Sequence, residues 1–152
     1  MTTNNWFECK VTAEHQTEGQ LTKTFNETYL IDALNCTAAE QRILQEITPY
    51  CHTQPTITSI RHIHIHELIP SQDENADRWY KARINLFTLD EKTSKEKKTT
   101  ATIIIQATDL PDALSNLQKA MKGTMLDWQT SLLQETNILD VFPYTPQTTP
   151  QP

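Results

Sequence analysis

Trp79-Tyr80-Lys81-Ala82-Arg83-Ile84-Asn85-Leu86-Phe87 is the stretch that decides the fold. Tyr80, Ala82, Ile84 and Leu86 form an apolar row, while Trp79, Lys81, Arg83, Asn85 and Phe87 form a second, mixed row. Period-two alternation places such rows on opposite faces of a β-strand. The same opening occurs earlier in the chain, where Trp6-Phe7-Glu8-Cys9-Lys10-Val11 matches Trp79-Tyr80-Lys81-Ala82-Arg83-Ile84.

Working outward, the order of segments recurs as well. Residues 24–33 and 100–107 read as second strands, and Tyr29-Leu30-Ile31-Asp32-Ala33 matches Ile103-Ile104-Ile105-Gln106-Ala107. Residues 35–48 carry Ala39, Ile43 and Ile47 at helical spacing, behind a capping box Thr37-Ala38-Ala39-Glu40 and before a stop at Pro49. The second half repeats this with Ala113, Leu117 and Met121, a cap at Asp109, Pro111 in the first turn and Gly123 past the end. Residues 56–69 and 128–142 read as extended segments, and Glu67-Leu68-Ile69-Pro70 matches Asp140-Val141-Phe142-Pro143. Residues 89–99 read as a charged hairpin tip, and Gly19 suits the first hairpin.

These observations predict an α+β fold. Two pseudo-symmetric ββαβ repeats share one antiparallel sheet, with both helices on one face. The expected domain covers residues 1–143, in halves of about 5–70 and 78–143 joined by residues 71–78. The Thr-, Gln- and Pro-rich residues 144–152 are expected to form a flexible tail.

Composition limits function. Two glycines in 152 residues leave no Gly-rich phosphate loop, dinucleotide fingerprint or nucleophile elbow. No stretch approaches the roughly 20 apolar residues of a membrane helix, and Met1 to Cys9 has no apolar signal core. Cys9, Cys36 and Cys51 are odd in number and lack CxxC spacing, so reduced thiols are expected. A soluble cytoplasmic protein without membrane association, catalytic residues or cofactor follows. The formal charge of −6 opposes general nucleic-acid binding but allows a local basic face.

Several segments together resemble a known family. They are Trp6-Phe7-Glu8-Cys9-Lys10-Val11, Asp77-Arg78-Trp79-Tyr80-Lys81, Thr88-Leu89-Asp90-Glu91-Lys92, Lys95-Glu96-Lys97-Lys98, Met121-Lys122-Gly123-Thr124-Met125 and Ile138-Leu139-Asp140-Val141-Phe142-Pro143-Tyr144. Over about residues 5–144 the chain resembles the domain of unknown function numbered 4494. The resemblance implies a bacterial or phage cytoplasmic protein and brings no activity, ligand or catalytic residue with it.

Two surfaces carry candidate chemistry. On the strand quoted first, Trp79, Lys81, Arg83 and Phe87 interleave aromatic and basic groups, with Trp6 and Lys10 at matching places and Lys92, Lys95, Lys97 and Lys98 toward the hairpin tip. An exposed aromatic patch of this kind marks a protein interface or a self-association surface, which is the primary expectation. The alternative is a single-stranded nucleic-acid platform that stacks bases and follows phosphates. The third reading concerns His62-Ile63-His64-Ile65-His66. On a regular strand its imidazoles line one face and suit zinc or nickel, with a further ligand such as His52 or Glu27. The competing reading is a half-buried strand with a polar outer face.

Overall fold

The computed structural model describes residues 5–16 and 22–143, so Gly19 and the proposed tail lie outside the described residues. The described residues form eight strands and two α-helices: β1 (Trp6–Gln16), β2 (Thr22–Asp32), α1 (Cys36–Ile47), β3 (Thr56–Ile63), β4 (Glu67–Ile69), β5 (Arg78–Leu89), β6 (Glu96–Ala107), α2 (Leu110–Met121), β7 (Asp127–Glu135) and β8 (Ile138–Phe142). A short 3-10 turn, Thr48–Tyr50, follows α1 and contains Pro49.

The single shared sheet expected from sequence is replaced by two four-stranded sheets, in the orders β3-β1-β2-β8 and β4-β6-β5-β7. Nor is either sheet purely antiparallel, because β8 pairs parallel with β2 and β4 parallel with β6. The cause is local. The extended stretch 56–69 leaves strand geometry at His64 to His66, and its last three residues join the second sheet. The final extended stretch likewise breaks at Thr136 and Asn137, and its end joins the first sheet. One compact unit therefore gathers the chain up to His64 with the residues from Ile138 onward, and the other comprises Ile65–Asn137.

Each unit has its own core between one helix and one sheet face. In the first, Ala39, Ile43 and Ile47 of α1 pack with Phe7, Cys9, Val11, Tyr29 and Ile31. In the second, Ala113, Leu117 and Met121 of α2 pack with Tyr80, Ala82, Ile84, Ile103 and Ile105. Each fully buried isoleucine or leucine contributes about 1.5–3 kcal/mol of transfer free energy. Both helices thus lie on their own sheets rather than on one common face.

The helix starts follow from caps. The Asp109 carboxylate accepts from the Asp112 amide at 2.9 Å, as the sequence suggests. In α1 the cap is Asn35 instead of Thr37: its side chain accepts from the Ala38 amide at 2.7 Å, and Thr37 lies inside the helix. Arg42 then ties α1 to the end of β2 and to the residue after β8, donating to the carbonyls of Asp32 at 2.8 Å and Pro143 at 2.5 Å. After α2, Gly123 adopts φ +95°, a left-handed conformation that suits glycine past a helix end. In the second unit Gln106 pins the connector after β4, accepting from the Ser71 amide at 3.0 Å and donating to the Ala76 carbonyl at 2.9 Å.

Candidate binding surface

The long β5–β6 hairpin carries most of the residues singled out from sequence. Its strands pair without interruption from Arg78 opposite Ala107 to Leu89 opposite Glu96. The turn is shorter than the expected tip. Asp90 organises it, accepting from the Lys92 amide through its carboxylate at 3.0 Å, while the Asp90 amide donates to the Lys95 carbonyl at 2.9 Å. Ser94 takes the positive φ of 56° that closes it. Lys92 and Lys95 lie in the turn; Lys97 and Lys98 belong to β6.

The mixed row of β5 is not an open face. Trp79 is only 6% exposed, and so is Trp6 on the corresponding face of the first sheet. Both tryptophans were expected as solvent-facing platforms. Leu30 in the first unit and Ile104 in the second are buried on the same helix-free faces. Asn85 is buried too and lies 3.3 Å from the Thr100 hydroxyl. Toward the hairpin end the face opens: Lys81 and Phe87 are half-buried and Arg83 is exposed. Phe87 sits directly opposite Lys98. Lys95, Lys97 and Lys98 are exposed, with Lys97 on the face opposite to Lys98. Exposed Lys10 belongs to β1 of the other unit.

The outer edge of β6 is only partly covered. β4 pairs with Ile103 to Ile105, and the His66 amide donates to the Thr102 carbonyl at 2.8 Å. Among the described residues no strand pairs with Glu96 to Ala101 on that side. Since Thr102 directs its carbonyl outward and strand residues alternate, Glu96, Lys98 and Thr100 also direct their N–H and C=O groups outward. Over residues 78–107 the chain has seven Lys or Arg and three Asp or Glu, a local charge of +4 within a chain of −6.

The histidine run is split. His62, the penultimate residue of β3, lies beside Phe7 with ring centroids 5.2 Å apart, and His64 lies 5.2 Å from His62 in an edge-on arrangement. His66 lies past the break, where its backbone joins the edge of the second sheet. The regular alternation assumed for three imidazoles in a row therefore ends at Ile63. Among the described residues no group of three or more His, Cys, Asp or Glu is arranged to hold a metal ion.

One polar cluster was not anticipated. In the first unit the Glu27 carboxylate bridges two side chains, accepting from the Tyr29 hydroxyl at Oε2 and meeting His15 Nε2 at Oε1. His15 Nδ1 lies 3.2 Å from the Tyr50 carbonyl. Phe25 packs on the His15 ring at 5.5 Å. Burial, and then the bond to Glu27, push the Tyr29 hydroxyl well above the usual phenol range. Burial likewise raises the nearby Cys51 thiol. The sequence held half the signal: Glu27 and Tyr29 share a face by alternation along β2, but the placement of His15 of β1 on that face depends on strand register.

With this geometry in place, comparison with known families is informative. A domain of unknown function, DUF4494, matches residues 5–144. The chain belongs to this family. No curated protein matches it. Among the described residues no helix is long and apolar enough to cross a membrane.

Proposed function

We propose that this DUF4494 chain is a non-catalytic binding module of bacterial or phage origin, with the basic β5–β6 hairpin as its contact surface for an acidic protein partner. The carrying observation is the concentration of positive charge, seven of thirteen cations within residues 78–107, on a hairpin whose turn-proximal half is exposed. Such a patch steers an acidic partner toward one hairpin of a chain that is otherwise acidic. Burial of Trp6 and Trp79 weakens self-association through an aromatic patch, and it equally weakens base stacking.

The reading includes duplication of a ββαβ unit. The corresponding strand orders β3-β1-β2-β8 and β7-β5-β6-β4 support it. So do twelve-residue helices behind polar caps, and register breaks after Lys10 in β1 and after the matching Arg83 in β5. The lysines of the hairpin are not duplicated, which ties the surface to the second copy.

Poly-glutamate at low salt is a direct probe. Binding is expected to weaken steeply with salt and to fall at least tenfold in a Lys92→Glu/Lys95→Glu/Lys97→Glu/Lys98→Glu variant of unchanged stability. Equal binding by the variant, or none by the wild type, contradicts the proposal. A (dT)20 oligonucleotide bound more tightly than poly-glutamate at equal ionic strength would favour the single-stranded nucleic-acid reading.

A further inference from the structure

We infer that the uncovered edge of β6 from Glu96 to Thr100 accepts an extended acidic segment of a partner protein as an added β-strand. This rests on the hairpin reading above and specifies how the partner is held. Two features meet at this edge. The first is the set of outward N–H and C=O groups at Glu96, Lys98 and Thr100, with which no strand pairs among the described residues because β4 reaches only to Ile103. Unpaired strand edges template the addition of another strand, and main-chain hydrogen bonds then supply affinity that depends little on sequence. The second is charge. Lys97 projects on one face and Lys98 on the other, with Lys95 at the turn and Glu96 as the one acidic group among them. Arg83, exposed on β5, faces Thr102 across the ladder. A strand laid along this edge meets lysines from both faces, so acidic side chains on either of its faces are complementary.

Lysines on a sheet edge also deter unwanted pairing. If that were their whole purpose, the equivalent edge in the first unit should be guarded in the same way. β8 pairs with β2 only from Thr28 to Ile31, so among the described residues no strand pairs with the start of β2 on that side. Yet residues 23–27 carry one cation, Lys23, against Glu27, with Phe25 40% exposed. The lysines are thus specific to one edge. Positive charge there rejects basic strands and favours acidic ones, which is how specificity arises from repulsion as well as attraction.

The test uses the full chain and a capped peptide of alternating Glu and Val. Proline at position 100 deletes one outward N–H, leaves the β5 ladder untouched and keeps every lysine. Thr100→Pro is expected to weaken peptide binding at least tenfold, whereas Thr100→Val, which also loses the hydroxyl near Asn85, binds as wild type. Hydrogen exchange gives an independent reading if the proline variant does not fold. The peptide should slow exchange at Glu96, Lys98 and Thr100 beyond any change at Lys97 and Thr99, whose amides already face β5. Peptide binding abolished by the lysine reversals but indifferent to Thr100→Pro would overturn strand addition while leaving the electrostatic surface intact. Absence of binding at low salt would overturn both. Protection of the same amides that grows with protein concentration alone would assign the edge to a second copy and overturn the acidic-segment inference.

Discussion

Truncating Trp79 separates a core residue from a ligand platform. Its indole is 94% removed from solvent on the helix-free face of its sheet, by its 6% residual exposure. A tryptophan buries roughly 200 Å², and about 25 cal/mol per Å² gives a transfer contribution near 5 kcal/mol. Alanine retains the β-carbon and the surroundings relax in part, so Trp79→Ala should cost about 3–5 kcal/mol. The Trp79 carbonyl accepts from the amide and hydroxyl of Thr136 at 3.0 and 2.8 Å, and these main-chain bonds survive the truncation. The loss is therefore one of packing. Arg83→Ala, four residues along on the same face but exposed, should stay within about 0.5 kcal/mol of wild type. Urea denaturation followed by circular dichroism measures both, and the difference between them is the decisive quantity. A Trp79→Ala cost below about 1 kcal/mol would refute the burial argument and return Trp79 to the list of available binding groups.

Other consequences are equally measurable. Glu27→Ala should destabilise the first unit by about 2 kcal/mol, because it strands the Tyr29 hydroxyl and one His15 nitrogen, whereas Tyr29→Phe, removing only one donor, should cost about 1 kcal/mol; equal midpoints for the two variants would contradict the bridging role. Burial pushes the Cys9 thiol up to about 12, with charge from Cys36 and Glu8 adding to it, so Cys9 should resist thiol reagents in the folded protein at pH 8 while exposed Cys36 reacts. The sign for stability follows: the contribution is complete below the unfolded thiol's range, near pH 9, and is lost as pH rises toward 12, at about 1.4 kcal/mol per unit, so Cys9→Ala should flatten the alkaline decline. Gln106→Ala should accelerate exchange of the Ser71 amide at least tenfold without lowering the free energy of unfolding by more than about 1–2 kcal/mol, since it frees the connector and leaves the core in place.

Much of this architecture is legible in the residues. Ala39, Ile43 and Ile47, and then Ala113, Leu117 and Met121, are the buried rows of the two helices, because a 3.6-residue period admits one apolar stripe. What sequence does not resolve is competition between equivalent local choices. Asn35 and Thr37 are both good caps two residues apart, and only the chain's extended entry at Asn35 decides between them. Nor do the strand crossings announce themselves. His64 to His66 continue the alternation of β3 with no glycine or proline, so nothing marks the point where one sheet is exchanged for another.

The site was half legible for the same reason. Period two assigns Trp79, Lys81, Arg83 and Phe87 to one face, but exposure depends on what covers that face, and cover is set by tertiary packing. The alternating row therefore divides along its length: buried at Trp79, half-buried at Lys81, exposed at Arg83. The charged end escapes this uncertainty, since lysines that cannot pair do not stay buried. Lys95, Lys97 and Lys98 were bound to reach solvent in almost any fold of this hairpin. The fold adds the bare main-chain edge beside them. That edge exists because β4 is only three residues long and arrives from a strand in the other sheet. Lengthening β4 toward its N-terminus would cover Glu96 to Ala101, so the strand crossing that sequence reading missed is also what leaves the basic edge open.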